Sequence, residues 1–254
     1  IEPGLIIYNF KNGNIVNWLK SLGEYELANK VNDLELKEKE GKKLKKCLIN
    51  IFEEHEYSIE ESTITQFRRD DYNPHNKIIR IGKGALGGKA RGLAFMGKLL
   101  SEYITPEMFK DFRITVPRSI VLSTDVFESF MEENELLDSY LLTLSDERIA
   151  SKFMSASLPP TVIGDIRSFI RETRNPLIVR SSGVLEDSLT EPFAGVYASM
   201  LLPNESWETD LRFQEVCNAI KYVYSSTFFE KARTYIRSTP KKIGDEKMGV
   251  ILQE

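Results

Sequence analysis

The stretch NPLIVRSSGVLEDSLTEPFAGVYAS, residues 175–199, decides how the rest of the chain is read. Pro176, Leu177, Ile178 and Val179 form an apolar run after a polar turn. A strand buried on both faces reads this way, and so does a short buried helical segment. The run stops on Arg180, Ser181, Ser182 and Gly183. A guanidinium directly after a buried strand needs an anion or water, because an unpaired buried charge is very costly. Glu186 and Asp187 follow, then a second apolar piece with Phe193, Ala194 and Gly195. Two readings stand side by side. The stretch is a phosphate-gripping edge, or Arg180 bridges Glu186 or Asp187 across a turn, since structural ion pairs are common.

Working upstream, residues 77–81 read as a short apolar strand that runs into GKGALGG, residues 82–88, and then into a helix beginning near Gly88. Strand, glycine-rich loop and helix start form the general plan of an anion site, in which backbone N–H groups and the helix terminus favour negative charge. Lys89 adds a point charge there. The loop is not of the GxxxxGK[ST] type, because Ala90 follows Lys89. A glycine-capped surface turn explains the same residues equally well. Residues 114–122 (ITVPRSIVL) read as a strand with Pro117 near one end. Ser123 or Thr124 then caps a helix from about Asp125, with Glu128 placed for a capping box. A helical region over 146–174 is broken at Pro159-Pro160.

Downstream, the pattern predicts one long helix over 209–237, with Leu211, Val216, Ala219, Ile220 and Val223 as its buried stripe. Lys231, Arg233 and Arg237 gather near its C-terminus, where the helix dipole alone favours cations. MGVIL, residues 248–252, reads as a last strand, followed by Gln253 and Glu254.

The chain has 254 residues, 41% hydrophobic and 28% charged, the balance of an ordinary globular protein. A net charge of −4 argues against general nucleic-acid binding, which needs a basic face. No apolar run approaches the roughly 18 residues of a membrane span. Two cysteines, Cys47 and Cys217, suggest neither a disulfide framework nor a metal site, so a reducing cytoplasm is expected. His55 and His75 have no partner at metal-ligand spacing, and no metal site is assigned. Residues 1–75 read as a helical preface and linker. Trp18, Leu19 and Leu22 form one stripe, and Leu44, Leu48 and Ile51 another, with RRDDYNPHN (68–76) as the linker. The chain opens on Ile1, ends within an apolar run, and is read as a piece of something longer.

Five blocks carry a resemblance. LGGKARGLAFM (86–96), VPRSIVLSTDVFESF (116–130), VRSSGVLEDS (179–188), FAG (193–195) and VILQE (250–254) look like the nucleotide-binding domain of phosphoenolpyruvate synthases and pyruvate phosphate dikinases, in the family's order. The resemblance implies an α+β, ATP-grasp-like domain over 76–254, truncated at its C-terminal end, after a small helical segment over 1–75. It implies ATP as ligand and Mg2+ as cofactor, with the metal's acidic ligands beyond this chain. By resemblance, Lys89 reaches the phosphates and Arg180 grips the transferring phosphoryl group, which makes both catalytic. Gly195 covers the phosphates, Ser199 stands where the family usually has Thr, and Gln253 lies beside the adenine. The family's Arg-Ala-x-x-Tyr-Arg becomes Lys231-Ala-Arg-Thr-Tyr-Ile-Arg237, which leaves Lys231, Arg233 and Arg237 as alternative nucleotide contacts.

The implied activity is phosphoryl transfer from ATP to a carrier histidine and on to an acceptor, pyruvate in the first instance. This piece alone is expected to be inactive. A relative acting on another acceptor, such as a glucan or an antibiotic hydroxyl, is the first alternative. A non-catalytic nucleotide-sensing module is the second.

Overall fold

The computed structural model of the chain describes residues 3–22, 24–34, 43–52, 64–69, 76–104, 108–109, 111–137, 139–184, 186, 195–239 and 246–254. The chain divides into two units, Ile1–Glu60 and Glu61–Glu254. The expected boundary at 75/76 thus meets a division fifteen residues earlier. The reason is a three-residue strand, β1 (Ile64–Gln66), which pairs in parallel with β2 (Ile78–Ile81) and so belongs to the sheet. Phe67, directly after β1, is buried in the same core. Of the linker, residues 70–75 lie outside the described residues, as do Asp187, Phe193 and Ala194.

The first unit contains α1 (Pro3–Lys11), α2 (Asn14–Ser21), α3 (Tyr25–Asn32) and α4 (residues 43–52). Val16, Leu19, Leu27, Ala28, Val31, Leu44 and Leu48 form its core. Trp18 and Leu22 remain exposed, against the expected Trp18–Leu19–Leu22 stripe. The buried face of α2 centres on Val16 and Leu19. Trp18 lies about 100° round the helix from Leu19 at 3.6 residues per turn, and Leu22 is the cap residue past the last turn.

The second unit is built on a six-stranded mixed sheet of order β1-β2-β3-β6-β4-β5, with β3 Ser119–Leu122, β4 Leu177–Gly183, β5 Ser199–Leu202 and β6 Met248–Gln253. β1, β2 and β3 are parallel, and β6 runs antiparallel to both β3 and β4. β4 therefore points the same way as β2 and β3. The segments that follow these three strands share one end of the sheet, and the candidate site is assembled there.

Alternation along the strands produces two apolar layers. Ile79, Ile81, Ile120, Leu122, Val179, Val250 and Leu252 face a core closed by α6 (Thr124–Glu133), α7 (Asp146–Ser155), α8 (Pro160–Glu172) and α9 (Thr209–Ser225). Phe130 stands at its centre, with ring centroids 5.6 Å from Phe153 and 5.4 Å from Tyr224. On the opposite face Ile78, Val121 and Ile251 pack under Leu86 and Ala90, at the start of α5 (Gly88–Tyr103).

Two expected elements come out shorter. The strand over 114–122 is regular only from Ser119, since Pro117 has no N–H for a ladder. The long helix over 209–237 is two helices, α9 and α10 (Glu230–Arg237), separated by a 3-10 turn and by Phe229 at φ −66°, ψ 157°. Ser225 and Ser226 turn their hydroxyls back to the carbonyls of Tyr222 and Val223, at 2.7 and 2.6 Å. Such local bonds compete with helix continuation.

Candidate functional site

The glycine-rich loop after β2 is closed by protein, not laid open. Asp125, in the first turn of α6, accepts the N–H groups of Lys83 and Gly84, both at 2.8 Å, and the Ser123 hydroxyl. Thr124 Oγ1 accepts the Ala85 N–H at 3.1 Å. Burial pushes the Asp125 carboxyl up, but the Ser123 hydroxyl and the Lys83 and Gly84 amides outweigh it and hold the group below the usual carboxylate range. A Cβ on Gly84 would lie 2.7 Å from the Asp125 backbone nitrogen, so glycine is needed there for close approach of α6. The anion that this loop cradles is the chain's own Asp125. That replaces the expected phosphate cradle for residues 83–85. It does not extend to Lys89.

Lys89, in the first turn of α5, reaches the end of β4. Its ammonium donates to the Ser181 hydroxyl at 3.1 Å, to the Ser181 carbonyl at 3.3 Å and to Glu186 Oε1. The Ser181 hydroxyl in turn donates to Glu186 Oε1 at 3.0 Å, and the Gly183 N–H donates to Glu186 Oε2 at 3.1 Å. Glu186 is 3% exposed, whereas the Lys89 side chain keeps 25% of its surface in solvent. Next to this corner, the Ser182 hydroxyl accepts the Ala90 N–H at 3.1 Å and donates to the Leu86 carbonyl at 2.8 Å, clamping α5 to β4. Gly87, at φ 77°, lets the chain pass so close that a Cβ would fall 1.6 Å from the Ser182 carbonyl oxygen.

Arg180, Ser199 and Gln253 share one sheet face. Arg180 on β4 is in register with Ile251 on one side and Ser199 on the other, and Ile178 with Gln253 and Leu201. α5 covers the middle of this face, over Val121 and Ile251. Towards the β5 edge the face opens: Arg180 and Ile178 are half-buried, while Ser199 and Leu201 are exposed. The Arg180 Nε is buried with no hydrogen-bond partner among the described residues. Glu186 does not hold it; its carboxylate is taken by Lys89, Ser181 and Gly183. Alternation turns Arg180 to the face opposite Ser181. Lys89 is bound at Ser181 and Glu186, and no hydrogen bond joins it to Arg180 among the described residues. Gln253 is buried and donates to the Ser119 hydroxyl at 3.0 Å.

The third cationic group divides. Lys231, at the start of α10, donates to the Gly195 carbonyl at 2.7 Å, so these two residues are brought together. Gly195 itself adopts φ 69°. Arg233 points elsewhere: its Nη1 donates to the carbonyls of Leu142 and Leu144, at 2.5 and 3.2 Å, and its Nη2 lies 3.5 Å from Asp146. Arg233 ties α10 to the start of α7. Arg237 is exposed in the last turn of α10.

Three polar residues of this region escaped the sequence reading as contributors: Asp125, Tyr197 and Glu246. The Tyr197 hydroxyl donates to Glu246 Oε2 at 2.8 Å, and both side chains are buried. Burial first, then the Glu246 carboxylate, pushes the Tyr197 phenol far above its ordinary range, so it stays protonated. Glu246 also abuts Gly183, where a Cβ would meet its Oε1 at 2.5 Å. No spacing signal links Gly183 to a residue 63 positions later. Among the described residues no three His, Cys, Asp or Glu side chains gather in a way that could hold a metal ion. Glu186 has both oxygens committed to Lys89, Ser181 and Gly183, and Glu246 Oε2 accepts from Tyr197, so this donor set does not fit a divalent cation. Nor is any helix of the described residues long and apolar enough to cross a membrane.

A family model for the pyruvate phosphate dikinase AMP/ATP-binding domain matches residues 83–254. A curated relative, "Uncharacterized phosphotransferase YvkC" of Bacillus subtilis (strain 168), is 24% identical over 143 residues. The match covers 55% of this chain and 16% of the relative, so the chain spans a small part of that protein's length.

Proposed function

The chain belongs to the pyruvate phosphate dikinase AMP/ATP-binding domain family, and from that premise we propose that it is the ATP-binding part of a phosphotransferase. In this reading the intact protein moves a phosphoryl group from ATP to a carrier histidine, and from there to pyruvate or to another acceptor. The observation that carries it is Arg180: a half-buried guanidinium on an open sheet face, in register with Ser199, whose Nε has no hydrogen-bond partner among the described residues. A buried donor without a partner is costly, and a phosphate oxygen satisfies it with a charge-assisted bond. The fixed fork of the guanidinium suits phosphoryl oxygens, and such donors act most on the charge that is redistributed in the transition state. Lys89 supplies a second positive charge at the end of the same strand. Gln253 lines the same face two residues from Ile251, and in this reading it lies beside the base. Mg2+ would neutralise phosphate charge through ligands other than those described above. Two free cysteines fit a cytoplasmic setting.

The test is Arg180→Ala in the intact protein. Loss of one charge-assisted contact, worth roughly 1.5–3 kcal/mol, weakens ATP binding about tenfold to a hundredfold. Autophosphorylation falls further, and Arg180→Lys restores it only in part. Normal transfer per folded molecule, with reduced thermal stability, would show that Arg180 is structural. A nucleotide-sensing module is the second reading, favoured by the commitment of Lys231 and Arg233 to backbone carbonyls. Tight ATP binding by the intact protein, with no phosphoenzyme formed, would select it.

A further inference from the structure

We infer that Glu186 is a positioning residue for Lys89, holding its ammonium ready for a phosphate oxygen at the C-terminal end of β4. The inference rests on the reading of Lys89 as a phosphate contact. Three observations carry it. First, Glu186 is a buried carboxylate beside a site meant for an anion, where its own charge works against the ligand unless a cation is fixed between them. Lys89 is that cation.

Second, the carboxylate is itself immobilised. Oε1 accepts the Ser181 hydroxyl and Oε2 accepts the Gly183 N–H, so Lys89 is tethered to a rigid strand end and not to a swinging side chain. Fixing a flexible ammonium in advance removes ordering cost from binding. Third, the ammonium has one replaceable contact. Of its three donor directions, two meet the Ser181 hydroxyl and Glu186, while that to the Ser181 carbonyl, at 3.3 Å, is longer than that to Ser181 Oγ, at 3.1 Å. With a quarter of the side chain in solvent, an incoming phosphate oxygen can take that third N–H while the other two keep the ammonium in place.

The experiment compares ATP with adenosine, which lacks phosphates, by titration calorimetry on the intact protein and on Glu186→Gln, Lys89→Met and the double variant. Because a charge-assisted contact is being loosened, Glu186→Gln should weaken ATP about tenfold and leave adenosine within about twofold. The double variant should bind ATP no worse than Lys89→Met alone, since without the ammonium Glu186 has nothing left to position. If Lys89→Met lowers the ATP-to-adenosine ratio and Glu186→Gln does not, the positioning role is wrong while the phosphate contact stands. Tighter ATP binding by Glu186→Gln also overturns it, marking Glu186 as a competitor for the ammonium. If Lys89→Met leaves the ratio unchanged, the reading of Lys89 itself has failed. Should Glu186→Gln not fold, Ser181→Ala, which removes the hydroxyl bridge, must show the same selective loss for ATP.

Discussion

Replacing Asp125 by Asn tests whether the glycine-rich loop is a protein-filled nest or a phosphate cradle. The carboxylate accepts Lys83 N–H on Oδ2, and Gly84 N–H and the Ser123 hydroxyl on Oδ1. Asparagine keeps one oxygen, so the Lys83 N–H faces an amide that cannot accept, and the remaining bonds lose their charge. Hydrogen bonds to charged groups contribute roughly 1.5–3 kcal/mol against roughly 0.5–1.5 for neutral ones. The site is part-exposed, so the low end applies and Asp125→Asn should cost about 2–3 kcal/mol. In urea unfolding the midpoint should fall by roughly 1 M with the slope unchanged. The effect has a definite pH sign. The folded-state carboxyl lies below its reference value of 3.8, so its contribution is complete above that value and is lost as pH falls through the folded pKa. The gap between wild type and variant should therefore close in acid. Affinity for ATP should not rise. An unchanged midpoint, or ATP bound tenfold more tightly by the variant, would refute the argument, the latter by showing that Asp125 had been occupying a phosphate site.

Arg233→Met should lower stability by about 2 kcal/mol, through two unsatisfied carbonyls and the loss of the Asp146 contact, and leave ATP affinity within about twofold. Paired melting and titration measurements check it, and a selective loss of ATP binding would return Arg233 to the nucleotide site. Gly87→Ala forces a Cβ against the Ser182 carbonyl at a positive φ, so it should displace the start of α5 and cost at least about 2 kcal/mol. A crystal structure of the variant with Leu86–Ser182 and Ala90–Ser182 bonds intact, and a melting temperature unchanged, would show that the turn adapts.

Much of the architecture was legible because local rules and packing agree. The apolar run before Arg180, the strand before Gly82 and the break at Pro159-Pro160 each follow from backbone chemistry within a few residues. The membership of residues 83–254 in one family was likewise carried by short blocks in order. β1 was missed because three residues carry too little periodicity to register as a strand. The division of the helix after Ser225 was missed because the pattern stays helical on both sides of the break.

For the site, the sequence alone singled out two candidate anion-binding side chains, Lys89 after a glycine-rich loop and Arg180 after a buried strand. Their partners were decided by tertiary structure. A glycine-rich loop reads the same whether its N–H groups await a phosphate or already hold Asp125, which stands some forty residues away in the chain. The alternative bridge from Arg180 to Glu186 or Asp187 and the observed Lys89–Glu186 pair both join a cation to a carboxylate, and Asp187 lies outside the described residues. Strand alternation and the position of α5 at the end of β4 chose between them. Charge and hydrogen-bonding capacity are properties of a residue. Which capacity remains for a ligand depends on what the fold brings within 3 Å of it, and that is settled by contacts between residues far apart in sequence.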